Sequence, residues 1–248
     1  MTHLMNKLTF IGTGSAFNTA LGNNSVYILE EERLLLVDCG GLVFHQLKER
    51  QLLTGLKEIH VLVTHTHPDH IGSLGELIFY AHFILGIRPE IYFPDFMWMK
   101  GLFHYLGIED HMYVLREGLK HNGTRHAIGP YLAEAVEVSH CNTMPSFGWL
   151  ISQGDQQIYY SGDANEIPSK VMELLLTGQL DRIYQDTCAK DYEDNPHLSI
   201  SRLAELIPAK HRKKVYLMHF DEGLNQELIK NHGFQGVTAM ESDKLTDS

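Results

Sequence analysis

One short stretch, residues 64–70, constrains the fold of this chain more than any other part of its sequence. It reads Thr-His-Thr-His-Pro-Asp-His, so three histidines and one aspartate fall within six consecutive residues. An apolar run, residues 59–63, leads into it, and a helix-like run, residues 71–85, follows it. Neutral imidazole suits zinc, and a neighbouring carboxylate lets a second cation bind close by. The stretch therefore predicts a strand-to-helix turn that carries metal ligands.

The spacing within this stretch divides the ligands into two pairs. His65 and His67 alternate, so both can face one metal, whereas the adjacent Asp69 and His70 can face another. A polar turn whose histidines cap a helix is the alternative, but so dense a ligand cluster has little other physical use. We therefore expect two divalent metal ions, with zinc as the first choice. Manganese is the alternative, because carboxylates contribute to the second site.

Length, charge and cysteine content restrict the class of protein. The 248 residues can bury a sizeable core, and the hydrophobic share of 44% is typical of a globular protein. No apolar run reaches about 18 residues, and residues 1–7 lack the features of a signal peptide, so we expect no membrane partner. Three scattered cysteines fit a reducing compartment, which makes the cytoplasm the expected location. A net charge of −11 disfavours a stable complex with a long nucleic acid.

Further ligand candidates stand at the ends of three later strand-like runs, which deliver His140, Asp163 and His219 in turn. A lone histidine or aspartate at a strand end normally carries no meaning. The repetition of a strand followed by a ligand predicts that the ligands gather on one rim of a layered sheet. The pattern by itself indicates a compact α/β or α+β fold.

The His-x-His-x-Asp-His stretch resembles the signature of the metallo-β-lactamase superfamily. The opening Leu-Thr-Phe-Ile-Gly-Thr-Gly-Ser of residues 8–15, and the Pro-Ser-Phe-Gly turn of residues 145–148, are similar to ribonuclease Z-like phosphodiesterases. This resemblance runs from Leu8 to about Asp221. It implies an α/β fold of the αββα sandwich type, formed by a single domain over residues 1–248. The polar end of the chain, near residues 241–248, is expected to be frayed.

The resemblance also implies a role for each ligand. The expected ligands of the first metal are His65, His67 and His140, those of the second are Asp69, His70 and His219, and Asp163 is shared between them. Asp38 is expected to hydrogen-bond the imidazole of a metal ligand and so to orient it, rather than only to cap the helix that follows. His197 is the candidate general acid, positioned by Asp186, because a histidine titrates near working pH. Together with Asp69, these two residues form the predicted catalytic group.

The match is looser at one of these positions. Ribonuclease Z-like enzymes carry His-Glu-Ala-Thr where this chain has Gln185-Asp186-Thr187-Cys188. This difference does not change the role expected of His197 as general acid, because Asp186 can still orient its imidazole.

A second difference concerns the substrate. Ribonuclease Z has a long arm for tRNA where residues 149–160 of this chain form one short hairpin around Gly154-Asp155. With the acidic charge, this absence favours a small substrate. The chain most resembles the phage and bacterial anti-Pycsar group of cyclic-nucleotide-degrading enzymes. That resemblance implies a 3′,5′-cyclic mononucleotide substrate, a role against cyclic-nucleotide immune signalling, and a homodimer whose partner completes the pocket. It also implies action in the host cytoplasm if a phage encodes the protein.

Ser146, Phe147 and Tyr113 are the predicted substrate-binding residues, the two aromatic rings serving to stack on the base. Three alternatives stay open. A ribonuclease Z-like RNA endonuclease would use the same metals on RNA, and a lactonase or β-lactamase would use them on a carbonyl. A non-catalytic binding protein is the third, although a retired site usually loses some of its ligands.

Overall fold

The computed structural model describes residues 4–117 and 124–240. The predicted frayed tail, residues 241–248, lies outside these described residues. Within them, the strands form two sheets. None of the described helices is long and apolar enough to cross a membrane.

The first sheet contains six strands of the described chain in sequence order. They are β1 Thr9–Gly12, β2 Ser25–Glu30, β3 Arg33–Val37, β4 Glu58–Leu62, β5 Glu90–Phe93 and β6 Val114–Glu117. The pairs from β1 to β3 are antiparallel, and the pairs from β3 to β6 are parallel. The parallel half matters most for the site, because the carboxyl ends of its strands meet at one edge.

The second sheet contains seven described strands, also in sequence order. They are β7 Arg125–Ile128, β8 Tyr131–Glu137, β9 Phe147–Gln153, β10 Gln156–Tyr160, β11 Arg182–Asp186, β12 Val215–Met218 and β13 Gln235–Gly236. The pairs from β7 to β10 are antiparallel, and those from β10 to β13 are parallel. Each sheet therefore joins an antiparallel half to a parallel half.

Helices cover the outer faces of the sheets. They are α1 Val43–Glu49, α2 Pro68–Ile71, α3 Leu74–Tyr80, α4 Phe96–Tyr105, α5 Ser169–Leu176, α6 Ile200–Leu206 and α7 Gln226–Asn231. A π-helical turn, Ala81–Leu85, extends α3. The sequence predicted one helix over residues 71–85, but the structure divides it. The break falls at Gly72, where a Cβ atom would lie 2.4 Å from the carbonyl oxygen of Pro68 and 3.1 Å from Gly41 Cα.

The period-2 alternation of β3 shows how the layers are arranged. Leu34 and Leu36 pack in one buried cluster with residues of α1, α3 and α4. Leu35 and Val37 point the other way, into a second cluster that contains Trp149 and other residues of the second sheet. That second cluster also takes in residues of α5, α6 and α7. The layers therefore follow the order helix, sheet, sheet, helix, and the predicted αββα sandwich is confirmed.

Candidate functional site

The candidate site lies where strands of both sheets end. Asp38 follows β3, the ligand stretch of residues 64–70 follows β4, Asp163 follows β10, and His219 follows β12. Because β10, β11 and β12 are parallel, Asp186 at the end of β11 lies at the same edge. Backbone hydrogen bonds join the sheets there. The backbone N–H of Phe147 donates to the carbonyl of Thr64 at 2.9 Å, and that of Ser15 donates to the carbonyl of Phe220 at 3.0 Å.

Close backbone packing fixes the ligand stretch. Pro68 opens α2 with its preset φ, and His67 before it is extended. The backbone N–H of Cys39 donates to the carbonyl of His70 at 2.6 Å. A Cβ atom at Gly40 would lie 1.9 Å from the carbonyl oxygen of Asp69, so glycine is required there. The short segment after β3 thus holds the ligand stretch in place.

Both tryptophans of the chain hydrogen-bond the same segment from different sides. Trp149, fully buried, donates from Nε1 to the carbonyl of Val63 at 3.1 Å. Trp98, on α4 and partly exposed, donates from Nε1 to Thr66 Oγ1 at 3.0 Å. The segment that carries the ligands is therefore held by two indole hydrogen bonds, one to Val63 and one to Thr66.

Four donor atoms form the first cluster: His65 Nε2, His67 Nδ1, His140 Nε2 and Asp163 Oδ2. His67 Nδ1 lies 2.9 Å from His65 Nε2 and 3.2 Å from His140 Nε2. Asp163 Oδ2 lies 3.7 Å from each of the other two nitrogens. Ligands about 2.0–2.1 Å from a tetrahedral zinc stand roughly 3.3–3.4 Å apart, so this spacing fits a metal ion.

A second cluster uses the other oxygen of the same carboxylate, together with Asp69, His70 and His219. Asp163 Oδ1 lies 3.2 Å from His70 Nε2 and 3.4 Å from His219 Nε2. Asp69 Oδ2 lies 3.3 Å and 3.4 Å from the same two nitrogens. The structure thus places all seven predicted ligands in two adjacent groups that share Asp163.

Buried atoms without partners support the presence of a cation. His70 Nε2 and Asp163 Oδ1 are both buried, and although they lie 3.2 Å apart, neither makes a hydrogen bond of good geometry. His70 Nδ1 lies 2.8 Å from Asp38 Oδ2, and a carboxylate can only accept, so Nε2 is the ring nitrogen left to bind a cation. His140 behaves in the same way, since its Nδ1 lies 3.0 Å from the carbonyl of Pro196. These residues therefore fit a divalent metal ion in donor type, tautomer and spacing.

Asp38 does not cap α1, which begins after Leu42 and has no side-chain cap. Its Oδ1 accepts from the backbone N–H of Thr64 at 2.8 Å, and its Oδ2 accepts from the Thr64 hydroxyl at 2.8 Å as well as from His70. The residue is fully buried in the left-handed region, with φ of 62°. The expectation that it supports a ligand imidazole agrees with this geometry, and helix capping is ruled out.

Asp186 contacts two imidazoles. Its Oδ2 lies 2.6 Å from His197 Nδ1 and accepts from the backbone N–H of Ala164 at 3.0 Å. Its Oδ1 lies 3.2 Å from Nδ1 of His219, a contact that the sequence did not reveal. The backbone N–H of His197 donates to Asn195 Oδ1 at 3.0 Å. Asp186 therefore links a residue of the second cluster to a histidine that opens onto solvent.

Electrostatics around this pair favour an ion pair. Burial would raise the pKa of Asp186, but the imidazoles of His197 and His219 outweigh it and lower that pKa. Burial would lower the pKa of His197, yet the facing carboxylate of Asp186 raises it. By contrast, burial holds the pKa of His65 well below its ordinary value. His197 is thus suited to carry a proton, and His65 to stay neutral.

A cavity of about 740 Å³ opens over the two clusters. Its floor includes His67, Asp69, His140, Asp163 and His219, and His197 lies on its wall. Phe17 and Tyr192 are the exposed aromatic residues of the lining and mark its mouth, and Asp221 belongs to the lining as well. Phe17 and Tyr192 were not among the residues predicted from the sequence. Both lie in irregular loops where no periodicity marks a role, and their only signal was an aromatic ring among polar residues.

The structure corrects the three predicted substrate-binding residues, none of which lines this cavity. Tyr113 is 4% exposed, donates its hydroxyl to Asp110 at 3.0 Å and packs on Phe103. Phe147 packs edge-on against Phe93 and belongs to the cluster beneath the helices. Ser146 is 4% exposed, with its hydroxyl buried. The ring of Tyr113 is buried in core packing and that of Phe147 is partly buried, so neither ring faces this cavity.

Comparison with solved structures defines the fold class. The metallo-β-lactamase fold protein YhfI from Bacillus subtilis superposes with a TM-score of 0.72 at 20% identity, over 95% of this chain and 96% of that one. The short form of human tRNase Z superposes with a TM-score of 0.64 at 21% identity, over 87% and 93% of the two chains. The protein therefore has the metallo-β-lactamase fold.

The sequence identifies the family within this class. The family model of the anti-Pycsar protein Apyc1 matches residues 6–242, so the chain belongs to that family. A relative is the anti-Pycsar protein Apyc1 of Bacillus phage vB_BveM-Goe7, 29% identical over 245 residues, which cover 90% of this chain and 92% of that protein. The family expected from the sequence motifs is confirmed.

Proposed function

We propose that this protein is a dinuclear metal-dependent phosphodiesterase that hydrolyses 3′,5′-cyclic mononucleotides to linear nucleoside monophosphates. The observation that carries the proposal is the pair of donor clusters that share Asp163 beneath a cavity open to His197. Such a reaction would remove a cyclic-nucleotide signal, in keeping with the anti-Pycsar name of the family.

Two divalent cations, zinc first and manganese as the alternative, would occupy the clusters. The first would be held by His65, His67 and His140, the second by Asp69, His70 and His219, and Asp163 would serve both. Bound metals at such a site supply an activated water and positive charge beside the phosphate. The protein's part is to turn its donors correctly, which the contacts of Asp38 with His70 and of Asp186 with His219 support.

His197 would act as the general acid. Its Nδ1 is committed to Asp186, so Nε2 is the nitrogen free to donate a proton within the cavity. The raised pKa of this imidazole keeps the donating form populated near neutral pH. A ribose oxygen is a poor leaving group. A proton delivered to this oxygen as its bond to phosphorus breaks therefore speeds its departure.

Two features favour a small substrate over RNA. Strands β9 and β10 are joined by a tight hairpin, with Gln153 paired to Gln156, which leaves no room for a tRNA-binding arm. The net charge of −11 also opposes a long polyanion. An RNA endonuclease is the second candidate, because the fold is shared with human tRNase Z. A carbonyl hydrolase ranks behind both.

We further propose that residues 1–248 form one domain, since both sheets supply residues to the same site. A homodimer is proposed from the family resemblance, and size-exclusion chromatography with light scattering tests it. The host cytoplasm is the proposed place of action.

A direct assay tests the function. The metal-loaded protein is incubated with cyclic AMP, GMP, CMP and UMP, with a 3′-extended precursor tRNA, with a lactone and with nitrocefin, and kcat/KM is compared. We expect the cyclic mononucleotides to be the best substrates. Efficient cleavage of precursor tRNA without turnover of any cyclic mononucleotide would restore the endonuclease alternative.

A further inference from the structure

We infer that Phe17 and Tyr192 bind the base of the nucleotide, one from each of two loops at the mouth of the cavity. The inference rests on the proposed function and adds its means of holding the substrate. Among the described residues that line the cavity, these two are the non-histidine aromatics. Phe17 is 89% exposed and Tyr192 is 57% exposed, so both rings are open to a ligand.

The backbone beneath Phe17 is fixed although its ring is exposed. The backbone N–H of Ser15 and the side-chain amide of Asn18 both donate to the carbonyl of Phe220, each at 3.0 Å. Phe220 directly follows His219, so this loop is attached to the second cluster. A Cβ atom at Gly14 would lie 2.4 Å from the carbonyl of Asn18, which shows how tightly the turn closes. The backbone that carries the ring therefore needs no ordering when a ligand binds, and only the rotamers of the ring itself become restricted.

The loop that carries Tyr192 is attached to the candidate acid. Asn195 donates from its backbone N–H to the carbonyl of Tyr192 at 3.3 Å and from its side chain to the carbonyl of Lys190 at 3.2 Å. The same side chain accepts from the backbone N–H of His197 at 3.0 Å. One asparagine thus sets the position of the exposed ring relative to the acid.

A carboxylate in the cavity lining already accepts from the backbone, so the exposed rings are the stronger candidates for recognising the base. Asp221 also lines the mouth, but its oxygens accept from the backbone N–H groups of Ala189 and Gly223, each at 3.0 Å. With the phosphate at the floor, a base extending toward the mouth would reach the two exposed rings. Every base has such a face, so purine and pyrimidine cyclic nucleotides should both bind.

The test compares Phe17→Ala and Tyr192→Ala with the wild type on cyclic AMP, cyclic CMP and a base-free ribose 3′,5′-cyclic phosphate. From the usual strength of base–aromatic stacking, each variant should raise KM for the nucleotides about 5- to 150-fold. Turnover at saturation should change less than about threefold, because stacking acts on binding alone. For the base-free substrate, KM should stay unchanged.

Matched variants separate stacking from loss of structure. Tyr105 is 88% exposed and does not line the cavity, so Tyr105→Ala should leave every KM unchanged. Phe17→Trp and Tyr192→Phe keep a ring and should keep the wild-type KM, even if the alanine variants fold poorly. Metal content and unfolding temperature are measured for each protein.

The outcomes distinguish this inference from the proposed function. If the wild type hydrolyses cyclic nucleotides and both alanine variants keep its KM, the inference is overturned and the function stands. An equal rise in KM for the base-free substrate overturns it as well, because the rings would then not act on the base. If the wild type hydrolyses no cyclic nucleotide, the function fails and the inference fails with it.

Discussion

Asp38 and Asp186 occupy equivalent places on the two sheets and yet differ in what they connect. Each is fully buried at the end of a parallel strand, and each contacts Nδ1 of a second-cluster histidine. The remaining bonds of Asp38 go to Thr64, inside the protein. Those of Asp186 go to Ala164 and to His197, which opens onto the cavity. One carboxylate is thus purely a support, whereas the other also reaches the candidate acid.

The largest expected effect comes from removing two ligands of the first cluster. The double change His65→Ala and His67→Ala deletes half of the donors of the first cluster. We expect metal content to fall and hydrolysis of cyclic nucleotides to be abolished. Elemental analysis and kcat/KM provide the measurements, and a double variant with full metal and full activity would show the ligand assignment to be wrong.

The next effect tests the connection that Asp186 makes. Asp186→Asn keeps the volume but presents an amide donor to groups that also donate. It should lower kcat by roughly 10²–10⁴-fold, as loss of an oriented acid does, and weaken metal affinity by about 10–100-fold. Excess metal should restore the metal content of the variant but not its kcat. Full recovery of kcat in excess metal would mean that Asp186 acts on the metal site alone.

His197→Ala isolates the acid from the metal support. Both metals should stay bound, and kcat should fall by about 10²–10⁴-fold for a ribose leaving group. The loss should be smaller for a diester that releases p-nitrophenolate, which needs no proton. Equal losses on the two substrates would contradict the role of general acid. This variant therefore shows whether the loss of kcat expected for Asp186→Asn can be separated from its loss of metal affinity.

Asp38→Asn should give the smallest effect of the four. The change weakens the support of His70 and should reduce metal affinity by about 10–100-fold. Activity should return fully in excess metal and should not depend on the leaving group. A leaving-group dependence like that of His197→Ala would remove the distinction between the two carboxylates. The unfolding temperature serves as the control for both asparagine variants.

Local sequence patterns predicted the ligands, because each follows a strand or falls within one dense stretch. His65, Asp163 and His219 could be found in this way without knowledge of how the sheets pack. The contact between Asp186 and His219 could not, since it depends on the parallel pairing of β11 with β12, which sets Asp186 opposite Met218. That pairing brings together side chains 33 residues apart.

The predicted stacking residues lie away from the cavity for a related reason. Tyr113 and Phe147 are aromatic, but whether a ring faces a cavity or a core depends on tertiary packing. In the structure Tyr113 is buried in the cluster between the first sheet and its helices, and Phe147 packs against that cluster while partly buried. Phe17 and Tyr192 lie in loops without periodicity, so their position over the cavity becomes visible only when the fold is assembled.

The two indole hydrogen bonds beside the ligand stretch should make the tryptophan fluorescence of the protein sensitive to metal binding. Trp98 and Trp149 are its only tryptophans, and they donate to Thr66 and Val63, on either side of His65. Any shift of that segment when a cation enters should change the emission of one or both indoles. Because Trp98 is 41% exposed and Trp149 is 0% exposed, a soluble quencher should silence mainly the first. Metal uptake can thus be followed by intrinsic fluorescence, without a label and before any substrate is added.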